Sequence, residues 1–110
     1  MRIRYTKEAA AQLALIAEHT AALYGKRVAR TLGSQLRILI EQEIPVFPHR
    51  GREGVVSGTR ELAVRRPPCR IVYRLTDGQI EILVVLQQEQ EWPRKLGLRK
   101  SVLSILREST

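Results

Sequence analysis

Asp77-Gly78 separates two runs that carry strand patterning, and the dipeptide is what a tight hairpin needs, since both residue types tolerate a positive φ. On the N-terminal side Arg70 to Leu75 alternates. Ile71, Tyr73 and Leu75 share one face; Arg70, Val72 and Arg74 share the other. On the C-terminal side Gln79 to Leu86 is apolar on both faces for most of its length, as suits a strand in the middle of a sheet. A third run, Arg60 to Arg65, sets Leu62 and Val64 against Glu61, Ala63 and Arg65 and leads into a turn at Pro67-Pro68. The three runs predict an antiparallel meander with one apolar face to cover.

The first half supplies the cover. Arg2 to Tyr5 reads as a short strand with Ile3 and Tyr5 on its buried face. Thr6 can then cap a helix whose first turn carries Glu8. Leu13, Ile16, Ala17, Thr20 and Tyr24 recur at helical spacing, and Gly25 ends the helix. A second helix is expected from about Lys26 to Ile44, with Val28, Leu32, Leu36, Leu39 and Ile40 as its stripe and Pro45 and Pro48 as its stop. Residues 45–58 hold Pro45, Pro48, Gly51 and Gly54 and read as a loop that exits at Gly58. The expected fold is therefore α+β: an N-terminal strand and a two-helix hairpin packed on one face of an antiparallel sheet, in the order β-α-α-β-β-β. The opposite face, with Arg70 and Arg74, is expected to stay open. Beyond Pro93, residues 94–108 predict a basic C-terminal helix with Leu98, Val102, Ile105 and Leu106 on one face. No linker divides the chain of 110 residues, so residues 1–93 and the 94–110 extension form one domain.

Nineteen Lys and Arg stand against 11 Asp and Glu, a formal net charge of +8, which points to an anionic partner: nucleic acid, ribosome or an acidic protein. Cys69 is the single cysteine, so no internal disulfide forms and a cytoplasmic setting is expected. The N-terminus lacks the apolar core of a signal peptide, and the longest apolar run, Ile82 to Leu86, is too short to span a bilayer. No membrane association is expected. His19 and His49 have no partners at metal-ligand spacing, so neither metal nor cofactor is expected.

Five segments, in order, resemble one known family. Phe47-Pro48-His49-Arg50-Gly51-Arg52 is similar to a P-x-x-G-R loop, Gly58-Thr59-Arg60-Glu61-Leu62 to a G-T-R-E-L strand entry, and Arg70-Ile71-Val72-Tyr73-Arg74 to an R-x-V-Y-R strand. Ile80-Glu81-Ile82-Leu83 and Gln90-Glu91-Trp92-Pro93 resemble the ending. Together they resemble the ParE branch of the RelE/ParE superfamily, the toxins of type II toxin–antitoxin systems. The resemblance implies a toxin neutralised by a cognate antitoxin, in a possible toxin–antitoxin hetero-oligomer. It implies one of two targets on one scaffold: DNA gyrase for the ParE-like route, or mRNA on the ribosome for the RelE-like route.

RNA cleavage needs a base for the 2′-hydroxyl, an acid for the leaving oxygen and cations for the phosphorane charge. Arg70 stands where the RNA-cleaving branch keeps a phosphate-stabilising arginine, and Glu61 is the one same-face group that could serve as a base. These two are the catalytic candidates. The end of the last strand carries Gln87, Gln88 and Glu89, where both branches commonly place other residues, and glutamine does not transfer a proton usefully. Catalysis is accordingly the less favoured reading. Arg60, Arg70 and Arg74 are expected to contact the target. The favoured function is a gyrase-binding toxin; the alternatives are a ribosome-dependent mRNA endonuclease and a non-toxic basic binding module, or decayed toxin.

Overall fold

A computed structural model describes residues 1–87. Strand β1 (Arg2–Tyr5) leads into helix α1 (Lys7–Tyr24), and Gly25 turns the chain into α2 (Lys26–Ile38). Leu39–Glu43 continues as a π-helical turn and Ile44–Val46 as a short helix, α3. Strands β2 (Arg52–Glu53), β3 (Arg60–Val64), β4 (Cys69–Thr76) and β5 (Gln79–Gln87) follow. The C-terminal helix expected over 94–108, the boundary at residue 93, and Glu89 and Trp92 lie outside the described residues.

The sheet has five strands in the order β1-β5-β4-β3-β2. The meander is antiparallel as expected, but β1 lies parallel to β5, so the sheet is mixed. The register sets Ile3 beside Ile80 and Tyr5 beside Ile82. The helical hairpin lets the chain return so that β1 and β5 run the same way, which a local reading of four residues does not reveal. β2 is a second departure: two residues of the expected loop pair with Glu61 and Arg60 and extend the sheet edge.

The start of α1 is fixed by Thr6. Its hydroxyl oxygen accepts the Ala9 N–H at 3.0 Å, and the hydroxyl donates to the Leu83 carbonyl at 2.6 Å. That second bond belongs to a series. β1 runs out beside Ile82, leaving the rest of the β5 edge without a strand neighbour on that side. Side chains of α1 take over: Thr6 at Leu83, Gln12 accepting the Val85 N–H at 2.6 Å, and His19 Nδ1 against the Gln87 amide nitrogen at 2.7 Å. The cap residue Thr6 and Gln12 thus satisfy two backbone groups of the edge that β1 is too short to cover, and His19, about two turns beyond Gln12, holds the Gln87 side chain.

Pro45 does not stop the second helix, as had been expected. The Ile44 N–H bonds to the Leu39 carbonyl five residues back. The wider turn gives room for the proline ring, which in an α-turn would meet the carbonyl four residues before it. Helical structure then persists to Val46.

One core lies between helices and sheet: Ala9, Ile16, Leu36, Ile40, Ile44, Cys69, Ile71, Tyr73, Ile80, Ile82 and Val85, all buried. Tyr24 and Val28, at the hairpin tip, are exposed despite their stripe positions. Tyr5 is also exposed. At the β4–β5 turn Gly78 alone adopts a positive φ, of 71°; Asp77 does not.

The outer face is not the open surface expected. A bulge at Val72/Tyr73 places Val72 opposite Val84 and Tyr73 opposite Ile82. Leu83 is the extra residue, so Leu83 and Val84 both turn outward. With Val56, Val72 and Leu86 they form a second buried apolar cluster. No helix among the described residues is long and apolar enough to cross a membrane.

Candidate functional site

The register brings charged residues of all five strands to the flanks of that outer cluster. Arg70 pairs across the sheet with Ala63 and Leu86, Glu61 with Val72 and Arg52, and Arg74 with Glu81. Arg4 stands beside Glu81 on the same face. Two ion-pair groups result. At one flank the Glu61 carboxylate, almost fully buried, accepts the Val55 N–H at 2.9 Å and meets Arg70 at 3.4 Å and Arg52 at 4.0 Å. At the other, Arg74 Nε meets Glu81 at 2.7 Å with both side chains about nine-tenths buried.

Exposure separates the arginines. The Arg52 side chain is 70% exposed and that of Arg70 34%, whereas Arg74 keeps only 11%. Arg52 and Arg70 therefore keep guanidinium surface exposed to solvent, while Arg74 is taken up by Glu81. Arg60 faces the other way, toward the loop 47–51: its guanidinium donates to the carbonyls of Gly51 at 2.6 Å and His49 at 3.3 Å. The structure thus brings the catalytic candidates Arg70 and Glu61 together and sets Arg60 and Arg74 apart from them. Arg52 is the residue that sequence reasoning left out. It lies in the P-x-x-G-R loop, and its pairing with Glu61 needs the short β2.

The remaining chemistry is sparse. Cys69 is buried, and burial raises its thiol pKa to about 11, which keeps it protonated and poorly nucleophilic at neutral pH. His19 is engaged with Gln87. Among the described residues no group of three His, Cys, Asp or Glu converges as metal ligands. Between α1 and α2 lies an apolar groove of about 460 Å³, lined in part by Leu13, Ala14, Ala17, Leu32, Gly33 and Leu36. Tyr5 stands at this groove, and its pKa is raised by burial and by Glu41, against an opposing effect of Arg37.

A helical hairpin on one face of a small mixed sheet, with arginine–carboxylate groups on the other, defines a compact basic α+β protein. Residues 3–92 match the family model described as the ParE toxin of the type II toxin–antitoxin system parDE, and the chain belongs to that family of toxins. The toxin candidate Y4kP of Sinorhizobium fredii (strain NBRC 101917 / NGR234) is 36% identical over 70 residues, 64% of this chain and 67% of that protein. A solved structure from the chromosomal ParDE toxin–antitoxin system of P. aeruginosa is similar with a TM-score of 0.65 and 28% identity, over 81% of this chain and 97% of that one.

Proposed function

We propose that this toxin arrests growth by binding DNA gyrase and is neutralised by a cognate antitoxin, with contact rather than catalysis as its mode of action. The observation that carries this reading is the state of the outer-face carboxylates. Glu61 and Glu81 are each buried against an arginine, and Glu61 also holds the Val55 N–H. A general base for RNA cleavage must reach a 2′-hydroxyl, whereas these carboxylates orient cations. The cross-strand neighbours of Arg70 on its own face, Ala63 and Leu86, have no acid–base chemistry. Membership of the ParE family, rather than of the RNA-cleaving branch, supports the same target.

In this reading Arg70 and Arg52 contact the target directly. Arg74 and Arg60 support them, the first by packing the sheet face and the second by holding the adjacent loop. The groove between α1 and α2 receives an apolar segment of the antitoxin, whose acidic flanks meet the +8 surplus of the chain. Arg70→Ala is expected to abolish most toxicity while the circular dichroism spectrum keeps its folded shape and Tm falls, since the buried Glu61 loses one of its cations. Gyrase supercoiling and cleavage-complex assays on the purified protein test the target. Undisturbed supercoiling together with new cuts in translated mRNA, mapped by primer extension, would replace this reading with the endonuclease one.

A further inference from the structure

Residues 46–52 form a surface segment held by bonds from the π-helical turn that precedes α3 and from β3 and β4. The Phe47 N–H bonds to the Glu43 carbonyl at 3.1 Å, and the Arg50 N–H closes a turn on the Phe47 carbonyl at 2.9 Å. The Arg50 guanidinium meets Glu43 at 2.9 Å. Beneath the turn, the fully buried Tyr73 sends its hydroxyl up from β4: it donates to the Pro48 carbonyl at 2.9 Å and accepts the Gly51 N–H at 3.0 Å. Arg60 grips the Gly51 and His49 carbonyls from β3. Gly51 is required there, because a Cβ would stand 2.8 Å from the Glu61 carbonyl oxygen and 3.0 Å from the Tyr73 hydroxyl.

What this scaffold presents is apolar. Phe47 is 65% exposed and its neighbour Val46 66%, beside the exposed Arg50 and Arg52. Leaving a large apolar pair in water brings no folding benefit, and fixing the loop in one conformation costs entropy. Both are compensated if the loop is a preformed anchor, since a rigid aromatic side chain gives up little freedom on binding.

From these contacts we infer that the clamped loop is an anchor for the target protein, with Phe47 and Val46 entering an apolar pocket whose rim carries carboxylates for Arg50 and Arg52. This rests on the proposed protein-binding mode of action. A protein is favoured over nucleic acid because Val46 can neither stack on a base nor donate a hydrogen bond. The target is favoured over the antitoxin because none of residues 46–52 lines the groove between α1 and α2. Tyr73 and Arg60 are positioning residues: they touch no partner and set the loop that does.

The test compares wild type with Phe47→Ser, Tyr73→Phe and Leu23→Ser in gyrase supercoiling, with antitoxin affinity and Tm measured on the same preparations. Leu23 is 74% exposed at the far end of α1 and serves as a control of equal polarity change. Phe47→Ser is expected to need at least about tenfold more protein for half-inhibition, with Tm and antitoxin affinity near wild type, while Leu23→Ser inhibits normally. Tyr73→Phe is expected to speed hydrogen exchange at the Gly51 amide and to lower potency by a smaller factor. Full potency of Phe47→Ser would overturn the inference and leave the proposed function standing. A parallel tenfold loss of antitoxin affinity would assign the loop to the antitoxin instead, and unchanged gyrase inhibition with lost affinity for single-stranded RNA would assign it to nucleic acid. Gyrase untouched by wild type would overturn the proposed function itself, and this inference with it.

Discussion

Glu81 and Ile82 are consecutive in β5 and face opposite sides of one sheet, each almost completely buried. Ile82 lies in a core where its neighbours are helix and strand side chains of similar chemistry, and any apolar group of the right volume would satisfy it. Glu81 lies against Arg74, and only a charge of the right sign at the right distance satisfies that. The inner face is held by generic packing alone, whereas the outer face joins an apolar cluster to flanking ion pairs, and at those flanks the pairing is specific. Substitution on the outer face should therefore be the more severe when it removes one partner. Glu81→Gln leaves the Arg74 guanidinium without its counterion and is expected to cost roughly 3–5 kcal/mol in urea unfolding. Replacing both, Arg74→Met with Glu81→Leu, should restore most of that loss. If the double variant is as unstable as the single one, the ion-paired flank also depends on exact packing and the contrast with the inner face fails.

Ile82→Ala sharpens the inner side of the comparison. It removes a fully buried side chain from the helix-covered core and is expected to cost about 2–5 kcal/mol, with little dependence on salt. The Glu81→Gln loss should also change little with ionic strength, because a pair about nine-tenths buried is screened far less than a surface pair. A loss that vanished in high salt would show that water reaches the pair and that its flank is less sealed than the inner core.

The same contrast explains what could be read from the residues alone. The inner face was legible because periodicity reports burial directly: Ile71 and Tyr73 on β4, and Ile16, Leu36 and Ile40 on the helices, fall where the alternation and the helical spacing put them. The start of α1 at Thr6 was legible for a similarly local reason. The parallel docking of β1 was not, because it depends on the pairing of Ile3 with Ile80 across 77 positions. The burial of the outer face was signalled by the two apolar faces of β5, but Arg70 and Arg74 on β4 pointed to an open surface, and the bulge, which turns Leu83 and Val84 to one side, leaves no trace in a period of two. Of the candidate site, the nearness of Arg70 and Glu61 followed from adjacent strands with a shared face. The part played by Arg52 did not, since a two-residue strand leaves no periodic trace, and the Tyr73 clamp on the loop joins residues 22 and 25 apart in the chain.

Cys69 offers the finest test of the inner face, because it measures how dry that core is rather than how well it is filled. Its thiol is held at about 11, against an ordinary 9.0, by burial alone. A thiol loses charge-neutrality when it loses its proton, so a raised value means that the folded chain keeps a proton the unfolded chain gives up. Between pH 9 and 11 the unfolded state therefore binds fewer protons, and a rising pH favours unfolding; the contribution is intact below 9 and is spent as pH passes 11. At pH 10 the expected loss relative to pH 8 is about 1 kcal/mol. Other groups titrate in this range, so the quantity to measure is the difference between wild type and Cys69→Ala, each unfolded in urea at both pH values. The alanine protein will have a constant packing deficit at both, but the gap should narrow by about that amount at pH 10. A gap that stays constant would mean that water reaches the sulfur at the β4 end of the core, and that the inner face is less sealed there than its apolar lining implies.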